Sequence, residues 1–253
     1  QRPRPGGAAR NALDCALWDL SARLSGRPVT EQLGAGPLPP LQTAVTVGLD
    51  TPERMGEAAA RLADSRVIKV KLDAEDPATR LHAVHAAAPG ARLIVDPNES
   101  WTPELVRAMQ PVLVETNVAL LEQPLPAGQD ESLEGYSPLR PICADESCHV
   151  VEDLPRLLSR YQAVNIKLDK TGGLTGALAL LQAARQAGLI VMVGCMVSTS
   201  LGIAPAFHVA RHAEFVDLDG PLWLQRDRPE GVRLVDGVLL PHGPGLWGAD
   251  GAH

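Results

Sequence analysis

The stretch Val67-Ile68-Lys69-Val70-Lys71-Leu72-Asp73 decides how the chain is read. Its aliphatic and β-branched residues predict a strand. Successive strand side chains point to opposite faces, so Lys69 and Lys71 share one face while Ile68, Val70 and Leu72 take the other. Lysine is rarely buried without a partner. Two lysines on one strand face therefore need solvent or opposite charge, and a half-exposed strand with a wet lysine face is the plain reading of this stretch alone.

Working outward, the neighbours form a repeat. Upstream, 43–49 reads as a strand and 52–63 as a helix. Downstream, strands are expected at 92–95, 119–121, 141–144, 163–166, 189–193 and 215–216. Helices are expected between them at 77–88, 103–115, 151–160, 174–187 and 201–212, with a weaker helical segment at 131–137. The total is eight strands with seven helices between them. Near-continuous apolar strands separated by helices indicate a parallel sheet covered on its outside, and eight such units favour a closed (β/α) barrel over an open doubly wound sheet. No Gly-x-Gly-x-x-Gly follows the first strand, which weakens a dinucleotide-binding alternative. The organisation expected is a linker and helix at 1–40, a barrel at 41–225 and a C-terminal segment at 226–253. Within the first part, 1–7 is Pro/Gly/Arg-rich and irregular, and 8–24 is a helix with Ala12, Leu13, Ala16, Leu17, Leu20 and Leu24 at helical spacing, stopped by Gly26 and Pro28. Within the last, 231–240 reads as a hairpin turning at Asp236-Gly237.

Composition narrows the function. The 253 residues are 45% hydrophobic and 21% charged, enough to fill the core of one large α/β domain. A formal charge of -7 without any Lys/Arg run argues against a nucleic-acid surface. No apolar run reaches the ~18 residues of a membrane helix, and no secretory signal is read at the start. Cys15, Cys143, Cys148 and Cys195 form no CxxC and read as reduced, mostly buried thiols, so a cytoplasmic location is expected. A homo-oligomeric state is left open. His208 and His212 stand four apart on a helix but lack a third ligand. Trp18, Trp101, Trp223 and Trp247 read as packing residues, and Cys195 has no histidine placed to make it a nucleophile.

In a (β/α) barrel the chemistry gathers at the C-terminal strand ends. Those ends read Lys69 and Lys71, then Asp96-Pro97-Asn98, Glu122-Gln123-Pro124, Asp145-Glu146-Ser147, Lys167 and Asp217-Leu218-Asp219. Three carboxylates from three successive strands would repel one another at low dielectric. A divalent cation resolves the repulsion, and an all-oxygen set suits Mg²⁺, with Mn²⁺ as the alternative. Helix capping explains any one of the three better than it explains all of them. Asn98 shares a face with Asp96 and is placed to support it. Lys71 and Lys167 lie four strands apart in a ring of eight, hence across the mouth from each other. Two bases on opposite faces of one carbon are what a 1,1-proton transfer needs, and nearby cations push a lysine toward the neutral form a base requires.

With these motifs the chain resembles the enolase superfamily, muconate-cycloisomerase-like subgroup, which uses a Lys or His base with Mg²⁺. The matching residues are Lys69-Val70-Lys71, Asp96-Pro97-Asn98, Glu122-Gln123-Pro124, Asp145-Glu146-Ser147 and Asn165-Ile166-Lys167 running on to Gly173. Phe215-Val216-Asp217-Leu218-Asp219-Gly220-Pro221 further resembles the signature of dipeptide epimerases, in which the Asp-x-Asp pair holds the substrate's α-ammonium group. The resemblance implies a (β/α)7β-type TIM barrel and metal ligation by Asp96, Glu122 and Asp145. It implies Lys71 and Lys167 as the acid/base pair, acting on a dipeptide through a metal-stabilised enediolate. Thr46, Lys69, Asn98, Met196, Ser198, Asp217 and Asp219 would contact substrate, and Glu146 would brace a lysine. The family's N-terminal α+β capping domain is expected to be missing from this chain. N-acylamino-acid racemisation and o-succinylbenzoate synthesis use the same kind of site, but their substrates lack the ammonium that Asp217 and Asp219 suit. An inactive barrel fragment is the non-enzymatic alternative.

Overall fold

The computed structural model describes residues 6–250, so most of the irregular start expected at 1–7 lies outside the described residues. The chain packs as two units. A central unit comprises Ala44–Cys148 and Asp153–Asn165, and a flanking unit comprises the residues up to Thr43, His149–Glu152 and those from Ile166 onward.

The central unit is a run of parallel strands with helical connections. Its elements are β2 (Val45–Val47), α3 (Pro52–Ala60), β3 (Val67–Lys71), α4 (Pro77–Ala87), β4 (Arg92–Asp96), α5 (Pro103–Glu115), β5 (Val118–Glu122), β6 (Ile142–Ala144), α6 (Leu154–Leu157) and most of β7 (Ala163–Ile166). Register aligns Thr46 with Lys69, and Lys71 with Asp96. Ile68, Val70, Leu93, Val95, Leu120 and Leu121 are fully buried, so the apolar runs do cover both sheet faces. Three helices start alike, at Thr51-Pro52, Asp76-Pro77 and Thr102-Pro103. In each the capping side chain accepts a backbone N–H, and proline sits where no helix partner for its nitrogen exists.

The flanking unit holds α1 (Ala8–Ser25), α2 (Val29–Gln32), β1 (Leu41–Gln42), α7 (Leu168–Thr171), α8 (Leu174–Gln186), β8 (Ile190–Gly194), α9 (Ser200–Ile203), α10 (Phe207–Ala210), β9 (Phe215–Asp217), β10 (Arg233–Val235) and β11 (Val238–Leu240). β8 and β9 pair in parallel, as β2 to β7 do in chain order within the central unit. The hairpin is present as expected, with Asp236 at φ 50° and Gly237 at φ 74°, the two left-handed residues a tight turn of this type requires.

Several expectations are corrected. The segment 131–137 is only a 3₁₀ turn, Glu131–Leu133, because Glu134 is extended and Gly135 is left-handed. The helix expected at 151–160 shrinks to α6 preceded by a 3₁₀ turn, and the one at 201–212 breaks into α9, a 3₁₀ turn at Ala204–Ala206 and α10. Pro155 and Pro205, lacking an N–H, sit within these broken pieces. The strand expected at 43–49 is shorter, β2 at Val45–Val47, and a separate strand β1 just before it pairs with β11, Leu41 opposite Leu239. α1 forms as expected and stops at left-handed Gly26, but its leucine stripe is not buried: Leu13, Leu17, Leu20 and Leu24 are each at least 50% exposed. Among the described residues no helix is long and apolar enough to cross a membrane.

Candidate active site

Alternation along β3 puts both lysines on one face, and the neighbouring strands treat them differently. Lys69 is 3% exposed and sits 3.0 Å from Asp96 Oδ2 and 2.8 Å from Glu122 Oε2. The wet-face reading therefore fails for Lys69, which is buried because β4 and β5 each end in a carboxylate that answers its charge. Lys71 remains 31% exposed, with its Nζ donating to Asp96 Oδ2 at 2.6 Å and to the Asn98 side-chain oxygen at 2.8 Å. Asn98, at φ 44°, also donates its backbone N–H to Asp96 Oδ1 at 3.0 Å. It thus supports Asp96 through its backbone and Lys71 through its side chain. Burial alone would raise the Asp96 carboxyl, but the two ammonium groups beside it prevail and hold it below the usual carboxylate range. Thr46 is half-buried beside Lys69 in the register.

Asp145, just past β6, is 2% exposed. Glu146, next to it, is half-buried. Two residues not among the expected site residues touch this cluster. Asn165 on β7 donates to Glu122 Oε1 at 2.8 Å, and the side chain of Gln123 accepts the Asp145 N–H at 2.8 Å. An amide flanking a charged strand end is the signal that could have marked both.

Asp96, Glu122 and Asp145, all 2% exposed or less, supply only hard oxygen donors, and the cluster already places a cation, the Lys69 ammonium, between two of them. Three carboxylates and two lysines give this set a formal net charge of -1. The donor chemistry fits a small divalent cation. Among the described residues no three His, Cys, Asp or Glu side chains are gathered as a metal cage, because at Asp96 and Glu122 the near neighbour is an ammonium.

The flanking unit holds the remaining candidates. Lys167, directly after β7, and Asp217 and Asp219, at and beyond the end of β9, all act electrostatically on the Cys195 thiol, which places the four together. Burial first, and then Asp217, push that thiol up to about 12, so Cys195 is not a nucleophile at neutral pH. Asp217 and Asp219 are 5% and 6% exposed, and the Trp223 indole donates to Asp219 Oδ2 at 3.3 Å. Trp223 is itself 55% exposed and not the packing residue expected. Met196 projects into solvent, while Ser198 lines a cavity of about 390 Å³ with Asn11, Cys15, Leu201 and Trp247. His208 is buried 3.1 Å from Asp250 and edge-on to Trp247, surroundings unlike a metal pair with His212.

The strand order and the charged residues at the strand ends define the class. The chain belongs to the enolase C-terminal domain-like family, whose pattern matches residues 54–248, and the N-terminal domain pattern of mandelate racemase and muconate lactonizing enzyme matches residues 4–34. The (β/α)7β barrel of the enolase superfamily is thus its fold. Among its relatives are the N-acetyl-D-glutamate racemase of a Pseudoalteromonas species, 49% identical over 98% of this chain and 78% of the relative, and the L-Ala-D/L-Glu epimerase of Escherichia coli K12, 47% identical over 94% and 75%. A crystal structure of an enolase family member from Agrobacterium tumefaciens with homology to dipeptide epimerases, bound to sodium and L-Ala-L-Glu, superposes with a TM-score of 0.94 at 48% identity, covering 98% of this chain and 76% of that one. The dipeptide epimerase of Enterococcus faecalis, solved with Mg and L-Leu-L-Tyr, gives 0.87 at 30% identity, covering 98% and 73%. The protein is an isomerase of the racemase and epimerase class.

Proposed function

We propose that this protein is a Mg²⁺-dependent dipeptide epimerase that inverts the α-carbon of the C-terminal residue of its substrate. The observation that carries the reading is the buried lysine–carboxylate cluster of Lys69, Lys71, Asp96 and Glu122 at the ends of successive strands. Asp96, Glu122 and Asp145 would hold the cation. Bound there, Mg²⁺ would supply positive charge beside the substrate carboxylate as negative charge develops on it.

Lys71 and Lys167 divide the proton transfer. One lysine, as the neutral amine, takes the α-proton onto its Nζ and becomes an ammonium. The other, as the ammonium, delivers a proton to the opposite face of the same carbon and becomes the amine. No atom is gained or lost by the substrate, and the configuration inverts. Lys71, tethered by Asp96 and Asn98 at 2.6 and 2.8 Å, has its Nζ held in place before substrate arrives. Lys69, clasped by two carboxylates, is not free to move a proton and serves to hold Asp96 and Glu122 in position. Asp217 and Asp219 would bind the dipeptide's free α-ammonium.

A second reading has one specific support, the N-acetyl-D-glutamate racemase relative, whose substrate carries no free ammonium. One experiment separates the two. The full-length protein with Mg²⁺ in D₂O is offered L-Ala-L-Glu, a wider set of L,L-dipeptides and N-acetylglutamate. Deuterium at the α-carbon of the dipeptide's C-terminal residue, abolished by EDTA and restored by Mg²⁺, is the expected result. Exchange confined to N-acetylglutamate would replace the epimerase reading with the racemase, and activity indifferent to EDTA would remove the metal.

A further inference from the structure

Glu122 and Asp145 sit at the ends of neighbouring strands, and one side chain ties the two ends together. The backbone N–H of Gln123 donates to Cys143 O at 2.8 Å. Its side-chain Oε1 accepts the N–H of Asp145 at 2.8 Å and that of Ser147 at 3.1 Å. Its Nε2 donates to Leu125 O at 2.8 Å and faces Ser147 Oγ at 3.0 Å and Tyr161 Oη at 3.1 Å. Gln123 is fully buried and holds φ at 30°, a backbone conformation that non-glycine residues adopt only when their surroundings impose it.

The orientation of this amide follows from the charges behind it. Asp130, also fully buried, is paired with Arg160 at 2.6 Å. Its Oδ2 accepts the hydroxyl hydrogens of Tyr161 at 2.6 Å and Ser147 at 2.7 Å. With those hydrogens spent on Asp130, both hydroxyl oxygens can only accept from Gln123 Nε2. That forces Oε1 toward the backbone of Asp145 and Ser147. The ion pair, the two hydroxyls and the amide form one polarised chain that ends on the backbone of Asp145.

We infer that Gln123 is a positioning residue, anchored by Asp130, that sets Glu122 and Asp145 for the cation; this rests on the assignment of those two carboxylates as metal-holding. Neither amide oxygen nor nitrogen is left over for substrate, so Gln123 acts through its neighbours.

Mn²⁺ binding to the full-length protein, followed by electron paramagnetic resonance, tests this without reference to turnover. Gln123→Met keeps the volume and removes every side-chain hydrogen bond. It is expected to stay folded by circular dichroism and to bind Mn²⁺ ~10–100-fold more weakly, the usual size of such supporting effects. A merely structural role would lower the melting temperature and leave Mn²⁺ affinity unchanged, and that result overturns the inference. Should Gln123→Met not fold, Tyr161→Phe removes a single hydroxyl between Asp130 and the amide; a several-fold loss of affinity is expected, and wild-type affinity again overturns it. Asp145→Asn separates the two levels of the argument. If the unaltered protein takes up no Mn²⁺, or Asp145→Asn binds it normally, the metal assignment itself fails and the positioning role with it. If Asp145→Asn loses binding while Gln123→Met does not, only the positioning role fails.

Discussion

The ends of β3, β4 and β5 and the segments that follow β8 and β9 are both rich in charge, yet they are built on opposite plans. In the first, Lys69 is 3% exposed and held by two carboxylates that are themselves 1% exposed or less. Moving any member would leave a buried charge unanswered, at a cost of several kcal/mol. In the second, Asp217 and Asp219 are nearly buried, but the segments after β8 and β9 also carry Met196, Val197, Leu222 and Trp223, exposed by 54%, 66%, 47% and 55%. Apolar side chains in water are an invitation to a ligand or to other protein surface. In the proposed reading, interlocked charge would set the geometry of the proton transfer, whereas the substrate's ammonium would be met in segments that also expose apolar side chains.

That contrast can be broken from either side. The largest effect is expected at the two proposed bases. Lys71→Ala and Lys167→Ala should each lower epimerisation by about 10³-fold or more, the scale of a lost acid or base. Each should still exchange the α-proton of one stereoisomer only, as read by NMR in D₂O. Normal epimerisation by either variant would end the two-base scheme.

A smaller effect is expected in the second region. Asp217→Asn and Asp219→Asn should raise KM for a free dipeptide by about 10–100-fold, as when one member of a desolvated charge pair is removed. With N-acetylglutamate the same variants should be nearly silent. An equal penalty on both substrates would mean that the two aspartates support the fold and not the ammonium.

The smallest effect sharpens the claim that the central unit is locked by buried charge. Burial pushes the Asp130 carboxyl up, but hydrogen bonds from Tyr161, Ser147 and Arg160 prevail and hold it below its ordinary value. A depressed folded value means that the group binds its proton more readily when unfolded. Its stabilisation is therefore full above the unfolded value of ~3.9 and is lost as pH falls from there through the folded value. Urea unfolding should show Asp130→Asn weaker than wild type by about 1–2 kcal/mol at pH 7, with the gap closing toward pH 3. A gap that stays constant with pH would show that the carboxylate charge is not what matters.

Much of this was legible in the chain because the pattern is local. Apolar runs of four or five residues bounded by helix caps such as Thr102-Pro103 announce strand and helix without reference to anything distant, and the expected bounds of 103–115 and 163–166 match α5 and β7. The same local pattern misled where a proline or glycine sat inside it, as at Pro205 and Gly135. It also misled at Leu13, Leu17, Leu20 and Leu24, where helical spacing was right and burial did not follow. Periodicity says which side chains share a face and not what covers that face. Asn165 and Gln123 escaped notice for a related reason: an amide has no charge to draw attention, and its partners lie 43 and 22 residues away.

The sequence by itself determined that Lys69 and Lys71 share one strand face, because alternation is a property of the extended backbone and needs no neighbour. It determined as well that carboxylates end the following strands. Only the tertiary structure decided that Lys69 is buried while Lys71 reaches outward to Asn98, and which end of the Gln123 amide meets Asp145. Those outcomes depend on the register between strands and on where distant donors and acceptors come to rest, and such pairings have no signature in the order of residues along one strand.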